Sequence, residues 1–233
     1  GVSEAAIEAA ASLADRVSVN LEAPRVAELA RIAPDKHFRD ELLRPLQYAA
    51  HLHEAGKVRS GLTTQFVVGG ADDCDREYLA AAVWLYGKLS LRRVYYSAFR
   101  PMQGSPLEGV PPTPPLRQHR LYQADWLLRD YGFDFSELAF DPQGNMSLAA
   151  DPKLAAAQCH PERFPIEVNR ASREELLRVP GLGLRGVERI LRARRQKSIS
   201  SLPALQALGV RAQTARDFLT LNGHYSPSPE GRQ

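Results

Sequence analysis

The alternation of apolar and polar residues predicts strands separated by helices over the first two thirds of the chain. Three segments are apolar at every second position or form short apolar runs bounded by turn residues, which is typical of strands. They are Asp15–Pro24 (DRVSVNLEAP), Leu62–Gly70 (LTTQFVVGG) and Arg92–Pro101 (RRVYYSAFRP). Helical spacing fills the intervals, so the order predicts parallel strands joined by helical crossovers.

Prolines, glycines and capping residues delimit the helical segments. Pro45 lies inside the longest of them and is expected to kink it or to divide it in two. The helices predicted before the last third of the chain are Ser3–Ala14, Pro24–Pro34, Asp35–Gly56, Arg76–Leu89 and Pro115–Gly132. From Glu167 onward the pattern predicts only short helices.

Charge divides the 233-residue chain at about the same place as the pattern does. Residues 1–159 carry 17 Lys and Arg against 20 Asp and Glu, a net charge of −3, whereas residues 160–233 carry 13 against 7, a net charge of +6. We therefore expect an α/β domain over residues 1–159, a small all-α domain over 160–225 and a disordered tail at 226–233. The basic domain is the part expected to bind a polyanion.

Bulk features exclude several classes of protein. No apolar run approaches the roughly 20 residues of a membrane span, and the N-terminal segment lacks the basic start of a signal peptide. Cys74 and Cys159 are too few and too far apart for a disulfide framework, and the histidines lack metal-ligand spacing. The sequence predicts a cytoplasmic chain with no metal site of its own and no membrane partner.

The segment Val179–Ile190 (VPGLGLRGVERI) carries the sharpest motif. Ser172 and Glu175 form a capping box for the helix before it, and a second helix is expected to begin near Leu184. Glycines let backbone N–H groups approach an anion, and a helix N-terminus adds partial positive charge at the same point. Leu182 is expected to fill the gap between the two helices.

This segment resembles the helix-hairpin-helix motif, which binds the DNA backbone without reading sequence. A weaker copy follows at Leu205–Leu219, where Gly209 occupies the equivalent turn, and is expected to be the structural half of a pair. The alternative is a helical hairpin whose glycines only make a tight turn. The candidate DNA-binding residues are Pro180, Gly181, Leu182, Gly183, Leu184, Arg185 and Arg189.

Polar residues follow the predicted strands, where parallel α/β barrels place their chemistry. Ser18, Asn20 and Glu22 share one face of the first strand by period-two spacing. The candidate cleft residues are Ser18, Asn20, Glu22, Gln65, Gly69, Gly70, Tyr96 and Arg100. Tyr95 and Ser97 are the alternative to Tyr96 because register is open. These side chains could equally satisfy loop backbone groups at a rim.

Three segments in this order resemble the fourth, fifth and sixth strands of radical S-adenosylmethionine (SAM) enzymes. They are the first strand, the turn TTQFVVGGADDCDREYL and the loop YYSAFRPMQGSPL. With the appended hairpin, the chain resembles the C-terminal half of the putative DNA modification and repair radical SAM proteins. The resemblance implies a partial (β/α) barrel of the TIM type, with SAM and a [4Fe-4S] cluster as cofactors. It places Asn20 and Glu22 at the ribose or methionine, Gln65 and the two glycines along the cleft, and Tyr96 and Arg100 toward the substrate.

The CxxxCxxC cluster motif is absent from this chain. We therefore expect a truncated or split product of a longer enzyme, or a chain that needs the missing N-terminal half-barrel as a partner. The predicted function is the DNA-binding C-terminal portion of a radical SAM enzyme in DNA modification or repair. The alternatives are a non-catalytic DNA-binding scaffold with a degenerate α/β body, and an enzyme whose hairpin mediates only protein contact.

Overall fold

A computed structural model describes residues 2–226, and these residues form a mixed α/β protein that divides into two compact units. The first unit runs to residue 125 and adds residues 140–148; the second contains residues 126–139 and continues from residue 149. The second unit thus includes two segments that the sequence analysis placed in the N-terminal domain. Apart from Ser226, the predicted tail lies outside the described residues.

The helices of the first unit follow the predicted segments with shorter bounds. They are α1 (Glu4–Leu13), α2 (Val26–Ile32), a π-helix (Phe38–Leu43), α3 (Arg44–Glu54), α4 (Asp75–Leu89) and α5 (Pro115–Asp130), whose last turn belongs to the second unit. Pro45 lies in the first turn of α3, which follows the π-helix without a break in helical backbone, so the segment changes its helix type beside this residue. Across residues 2–226, every helix is too short or too polar to cross a bilayer.

Three parallel strands form the sheet of the first unit. They are β1 (Val17–Ser18), β2 (Leu62–Val68) and β3 (Arg93–Ala98), in the spatial order β1-β2-β3. The parallel arrangement is confirmed, and within residues 2–226 the sheet does not close into a barrel. β1 is shorter than predicted because beyond Ser18 the chain stays beside β2 through irregular contacts, such as Leu21 N–H to Thr64 Oγ1 at 3.0 Å.

One face of this sheet is covered by helices. Phe66 packs against Tyr78 of α4 with ring centroids 5.6 Å apart, and Tyr96 packs edge-on against Tyr122 of α5 at 5.2 Å. Tyr96 is 1% exposed, so it belongs to the core and not to a cleft. The cleft position predicted for Tyr96 is therefore corrected: Tyr95, paired with Gln65, lies on the half-buried opposite face.

Side chains close the outer edge of β3. The hydroxyl of Tyr122 accepts from Tyr96 N–H and donates to Tyr96 C=O, both at 3.0 Å, and Gln118 donates to the same carbonyl. Val94 N–H donates to the hydroxyl of Tyr86 at 3.0 Å. These bonds satisfy the groups that an edge strand leaves open to another strand, so β3 is a protected edge.

A buried ion cluster holds the turn between β2 and α4. Asp73 accepts from Gly69 N–H and Ala71 N–H, which folds the turn onto its own carboxylate. Arg117 of α5 pairs with Asp73 at 3.0 Å and with Asp75 at 2.8 Å, and both carboxylates are 1% exposed. The acidic residues after the glycines therefore serve the turn and the start of α4.

The second unit combines short helices with a small sheet. Its helices are α6 (Pro152–Cys159), α7 (Arg173–Arg178), α8 (Leu184–Ala193), α9 (Leu202–Ala207) and α10 (Ala212–Ala215); its strands are β4 (Ile166–Glu167), β5 (Leu219–Leu221) and β6 (His224–Tyr225). The sequence predicts only helices here, and the strands correct that prediction. β4 pairs in parallel with β5, and β5 pairs antiparallel with β6.

Glu167 ties this small sheet together. Its carboxylate accepts from the N–H groups of Asn169, Asn222 and Gly223 and from the hydroxyl of Thr220. Partial burial acts to raise the pKa of Glu167, but these bonds outweigh it and lower the pKa to about 2. The hydrogen bonds of Glu167 thus stabilise a sheet of very short strands. Strands of two or three residues show no alternation of apolar and polar positions, so the sequence pattern does not predict them.

The buried ion cluster generates a prediction for the first unit. Arg117→Gln leaves two buried carboxylates without their cation and is expected to lower the free energy of unfolding by about 3–5 kcal/mol. Urea unfolding measures the change. Arg44→Gln, which removes an exposed pair with Asp40, should cost less than about 0.5 kcal/mol. Equal costs for the two substitutions would contradict the role assigned to Arg117.

Candidate nucleic-acid interface and carboxyl edge of the parallel sheet

The hairpin between α7 and α8 has the local structure that the sequence predicts. Ser172 caps α7 by accepting from Glu175 N–H at 3.1 Å, and the Glu175 carboxylate accepts from Ser172 N–H at 2.6 Å. α7 ends at Arg178, α8 begins at Leu184, and Leu182 between them is 1% exposed. The capping box and the buried position of Leu182 are confirmed.

The two hairpin glycines have different roles. Gly181 has a φ of +84°, and a Cβ there would stand 2.7 Å from the carbonyl oxygen of Arg211, so packing requires glycine at this position. Gly183 has an ordinary φ of −93°, and its nearest neighbour would be the hydroxyl of Tyr131 at 3.6 Å. A side chain at Gly183 would therefore make only an ordinary van der Waals contact, whereas the packing around Gly181 requires glycine.

The start of α8 presents free backbone donors. Gly183 is the N-cap and has no side chain to bond the first turn. The N–H groups of Gly183, Leu184 and Arg185 have no acceptor anywhere in residues 2–226. Together with the helix dipole they form a site with the chemistry to bind an anion.

The two candidate arginines, Arg185 and Arg189, differ in their contacts. Arg185 is exposed, and its guanidinium has no hydrogen bond or ion pair in the described part of the chain. Arg189 donates to the carbonyl of Arg185 at 3.2 Å and to that of Gly209 at 3.3 Å. Arg189 thus links α8 to the second hairpin, and Arg185 is the side chain left for a ligand.

The weaker second copy packs against the first hairpin. α9 and α10 flank Gly209, whose φ is +69°, and Arg211 N–H donates to Gly181 C=O at 3.2 Å. A Cβ at Gly186 of α8 would stand 2.4 Å from Val210, which explains a glycine inside that helix. The paired arrangement expected from the sequence is present, with α10 only four residues long.

Lys153, which sequence reasoning missed, supports the hairpin through the carbonyl of Leu182. Lys153 of α6 donates from Nζ to the carbonyl of Leu182 at 2.5 Å and lies 4.9 Å from the ring centroid of Tyr131. Burial lowers the pKa of Lys153 to about 7; Arg178 acts in the same direction and Asp151 opposes it. The sequence around Lys153, in a helix that begins at Pro152, matches no motif. Only the fold therefore reveals the contact of Lys153 with the hairpin.

Glu137 links α7 to the segments before residue 160 that belong to the second unit. Arg178 of α7 donates to its carboxylate at 2.8 Å and to the carbonyl of Gly132 at 2.7 Å, and Arg163 donates to the same carboxylate. Burial acts to raise the pKa of Glu137, but the bonds from Arg178, Asp134 N–H and Arg163 lower it to about 2. This network explains why residues before the predicted boundary belong to the hairpin unit.

Part of the candidate cleft comes together along β1 and the segment that follows it toward the carboxyl edge of the sheet. Ser18 donates to Asn20 Oδ1 at 3.0 Å, and Glu22 lies 3.1 Å from Lys36 Nζ. Glu22 has a φ of 64°, a left-handed backbone that residues other than glycine rarely adopt. Its N–H and C=O bond to Gln65 and Val67 of β2, which holds the residue in this conformation.

The remaining cleft candidates, Gly69, Gly70 and Arg100, are placed less favourably for contact with a ligand. A Cβ at Gly69 would stand 2.0 Å from Thr113 Oγ1, and one at Gly70 would stand 2.9 Å from Ile32, so both glycines are packed against side chains. Arg100 is exposed beyond the end of β3. The strand pairing places Ser18 beside Thr63 at the start of β2, away from the carboxyl edge. Of the polar candidates, Asn20, Glu22, Gln65 and Arg100 remain on the side of the carboxyl edge, with Glu22 beside Phe66 of β2.

The thiols do not fit a [4Fe-4S] cluster. The chain has two cysteines, whereas the cluster of a radical SAM enzyme needs three thiolates to leave one iron open. Cys74 caps α4 in the first unit, and Cys159 ends α6 in the second. No step through the cluster follows from these residues.

The lowered pKa of Lys153 predicts a pH dependence of stability. Between pH 7 and its ordinary value of 10.5 the unfolded chain holds a proton on this amine that the folded chain has lost. The free energy of unfolding should therefore rise with pH by up to about 1.4 kcal/mol per unit across this range. Lys153→Met should remove this rise, which urea unfolding at several pH values would measure. Lys197→Met, at an exposed lysine, should keep the slope; an unchanged slope in Lys153→Met would contradict the assignment.

Neither family models nor curated proteins nor solved structures give a match to this chain.

Proposed function

We propose that the second unit binds the phosphate backbone of DNA through the hairpin and the first turn of α8. The observation that carries the proposal is the set of N–H groups at Gly183, Leu184 and Arg185, which have no acceptor within residues 2–226 and start a helix that no side chain caps. Phosphate oxygens are strong acceptors and gain from the positive end of a helix.

Charge supports a polyanion as the ligand. Residues 160–233 carry a net charge of +6, and the free guanidinium of Arg185 lies in the same turn as the open N–H groups. Backbone amides and arginine recognise phosphate and sugar, which are the same in every sequence. The binding should therefore be independent of base sequence and sensitive to salt. Free thiols such as Cys159 favour the reducing cytoplasm as the place of this activity.

The candidate contact set is narrower than the sequence motif. Gly183, Leu184 and Arg185 would contact the phosphates. Pro180, Gly181 and Leu182 are packed in the hairpin and would hold its shape, while Arg189 would join it to the second copy. Protein contact in place of DNA is the alternative use of the same surface.

A substitution at Gly183 tests the proposal without removing a packed glycine. Gly183→Asp supplies an N-cap carboxylate, which stabilises α8 but occupies the free N–H groups and repels phosphate. We expect DNA affinity, measured by fluorescence anisotropy with two duplexes of unrelated sequence, to fall by at least about tenfold for both. Gly183→Ser caps the helix without adding a charge, so its DNA affinity should fall less than that of Gly183→Asp.

The matched control adds one negative charge, as Gly183→Asp does, but at a site away from the first turn of α8. Gln158→Glu alters an exposed residue of α6 and should bind DNA as the unchanged protein does. If two phosphates are held, the logarithm of affinity should fall against the logarithm of salt with a slope of about −2. Salt-independent binding, or equal affinities for Gly183→Asp and Gln158→Glu, would reject the hairpin as the phosphate site.

A second candidate concerns the first unit. We propose that its three parallel strands contribute part of a larger radical SAM barrel, supported by the left-handed Glu22 held at the carboxyl edge of the sheet. Sparse backbone conformations cluster at ligand sites. In such an enzyme the polar groups of this edge would contact SAM, and a partner segment would supply the cluster cysteines.

Co-expression tests this second candidate. The reading frame immediately upstream should encode a CxxxCxxC segment, and the two polypeptides together should show iron–sulfur absorbance and cleave SAM. Glu22→Gln should weaken SAM binding in that complex. If the pair binds neither iron nor SAM, the first unit is a scaffold for the DNA-binding unit.

A further inference from the structure

A second polar site lies at the opposite edge of the parallel sheet, where the strands begin. Arg16 precedes β1, Arg59 and Ser60 lie just before β2, and Ser90 and Arg92 lie just before β3. Because the strands are parallel, these three connections meet at one edge. They line a cavity of about 520 Å³ together with His53 from α3.

The charges in this cavity are uncompensated. Among residues 2–226, no acidic side chain lines it. In residues 2–226 the guanidinium groups of Arg16, Arg59 and Arg92 have no ion pair or hydrogen bond. By contrast, three other arginines of the same unit, Arg25, Arg31 and Arg117, are all ion-paired. Three cations gathered in one concave site without an acid form a binding site for an anion.

Among the other lining residues, Leu91 is apolar, His53 and two serines carry polar groups, and Gly61 leaves space. The carbonyl of Val58 accepts at 2.7 Å from His53 Nδ1, so that nitrogen carries a proton. His53 Nε2 lies on the side of Gly61, 3.7 Å from where a Cβ would stand. Gly61 has a φ of +85°, and a Cβ there would approach Arg92 Cβ to 3.1 Å, so glycine keeps this wall of the cavity clear.

From these groups we propose that the cavity binds a phosphate-bearing anion of the pyrophosphate type. A guanidinium donates two parallel hydrogen bonds to phosphate oxygens, and the hydroxyls of Ser60 and Ser90 add donors at the rim. The volume lies within the range of small-molecule sites, roughly 300–1,000 Å³, and exceeds what a single phosphate needs. The anion comes either from a free polyphosphate compound or from a nucleic-acid backbone. The site lies wholly in the first unit and does not depend on the hairpin.

A helix-dipole role for the arginines is the competing explanation. α3 and α4 end near this edge, and cations stabilise helix C-termini. That role predicts lower stability on substitution and no saturable anion binding, so binding measurements separate the two explanations.

Calorimetric titration of the full chain with inorganic pyrophosphate tests the proposal. We expect saturable binding that falls by at least about tenfold in Arg59→Gln/Arg92→Gln, because two charged donors are lost. Arg39→Gln/Arg170→Gln removes the same charge at two exposed arginines and should bind as the unchanged protein does. Absence of saturable binding, or an equal loss in both double variants, would overturn the site.

Two further arms identify the source of the phosphate. A short duplex DNA is titrated into Gly183→Asp with and without the cavity substitutions, so that the hairpin contributes equally to both. A further loss of DNA affinity identifies the nucleic-acid backbone as the source. Unchanged DNA affinity, with pyrophosphate binding lost, identifies a free polyphosphate compound. Failure of hairpin binding leaves the pyrophosphate result unaffected, so the two proposals fail separately.

Discussion

The parallel pairing of β2 with β3 is the constraint on which the first unit depends. Six consecutive pairs, from Thr63–Arg93 to Val68–Ala98, align the two strands in the same direction. All carboxyl ends then meet at one edge of the sheet and all amino ends at the other. Both polar sites of this unit follow: Glu22 with its neighbours at one edge, and the three unpaired arginines at the other.

The second unit depends on a hairpin fixed from both sides. Leu182 fills the space between α7 and α8, Lys153 bonds its carbonyl, and Arg211 bonds Gly181 on the other side. Because the loop is held at these points, the start of α8 can present bare N–H groups without losing its shape. A buried amine beside a carbonyl costs less free energy than an unpaired one, which is how Lys153 is accommodated.

Sequence periodicity predicted where the helices and the longer strands lie, but it did not predict which face of the sheet the helices cover. It predicted β2 and β3 within three residues at each end, a change in the helix at Pro45 and the capping box at Ser172. Period two, however, does not say which face is covered, and Tyr96 turned out to lie under the helices. The short strands around Glu167 were missed because two or three residues show no alternation, and Glu167 bonds partners more than 50 positions away.

The sequence by itself determined the local structure: alternating segments that form strands, proline and capping residues that bound helices, and a glycine hairpin before a basic helix. These follow from interactions between residues a few positions apart. Only the tertiary structure decided that Arg189 bonds Gly209, that Lys153 supports Leu182, and that Arg16, Arg59 and Arg92 share one cavity. These residues are 20 to 76 positions apart, and parallel pairing and helix packing bring them together.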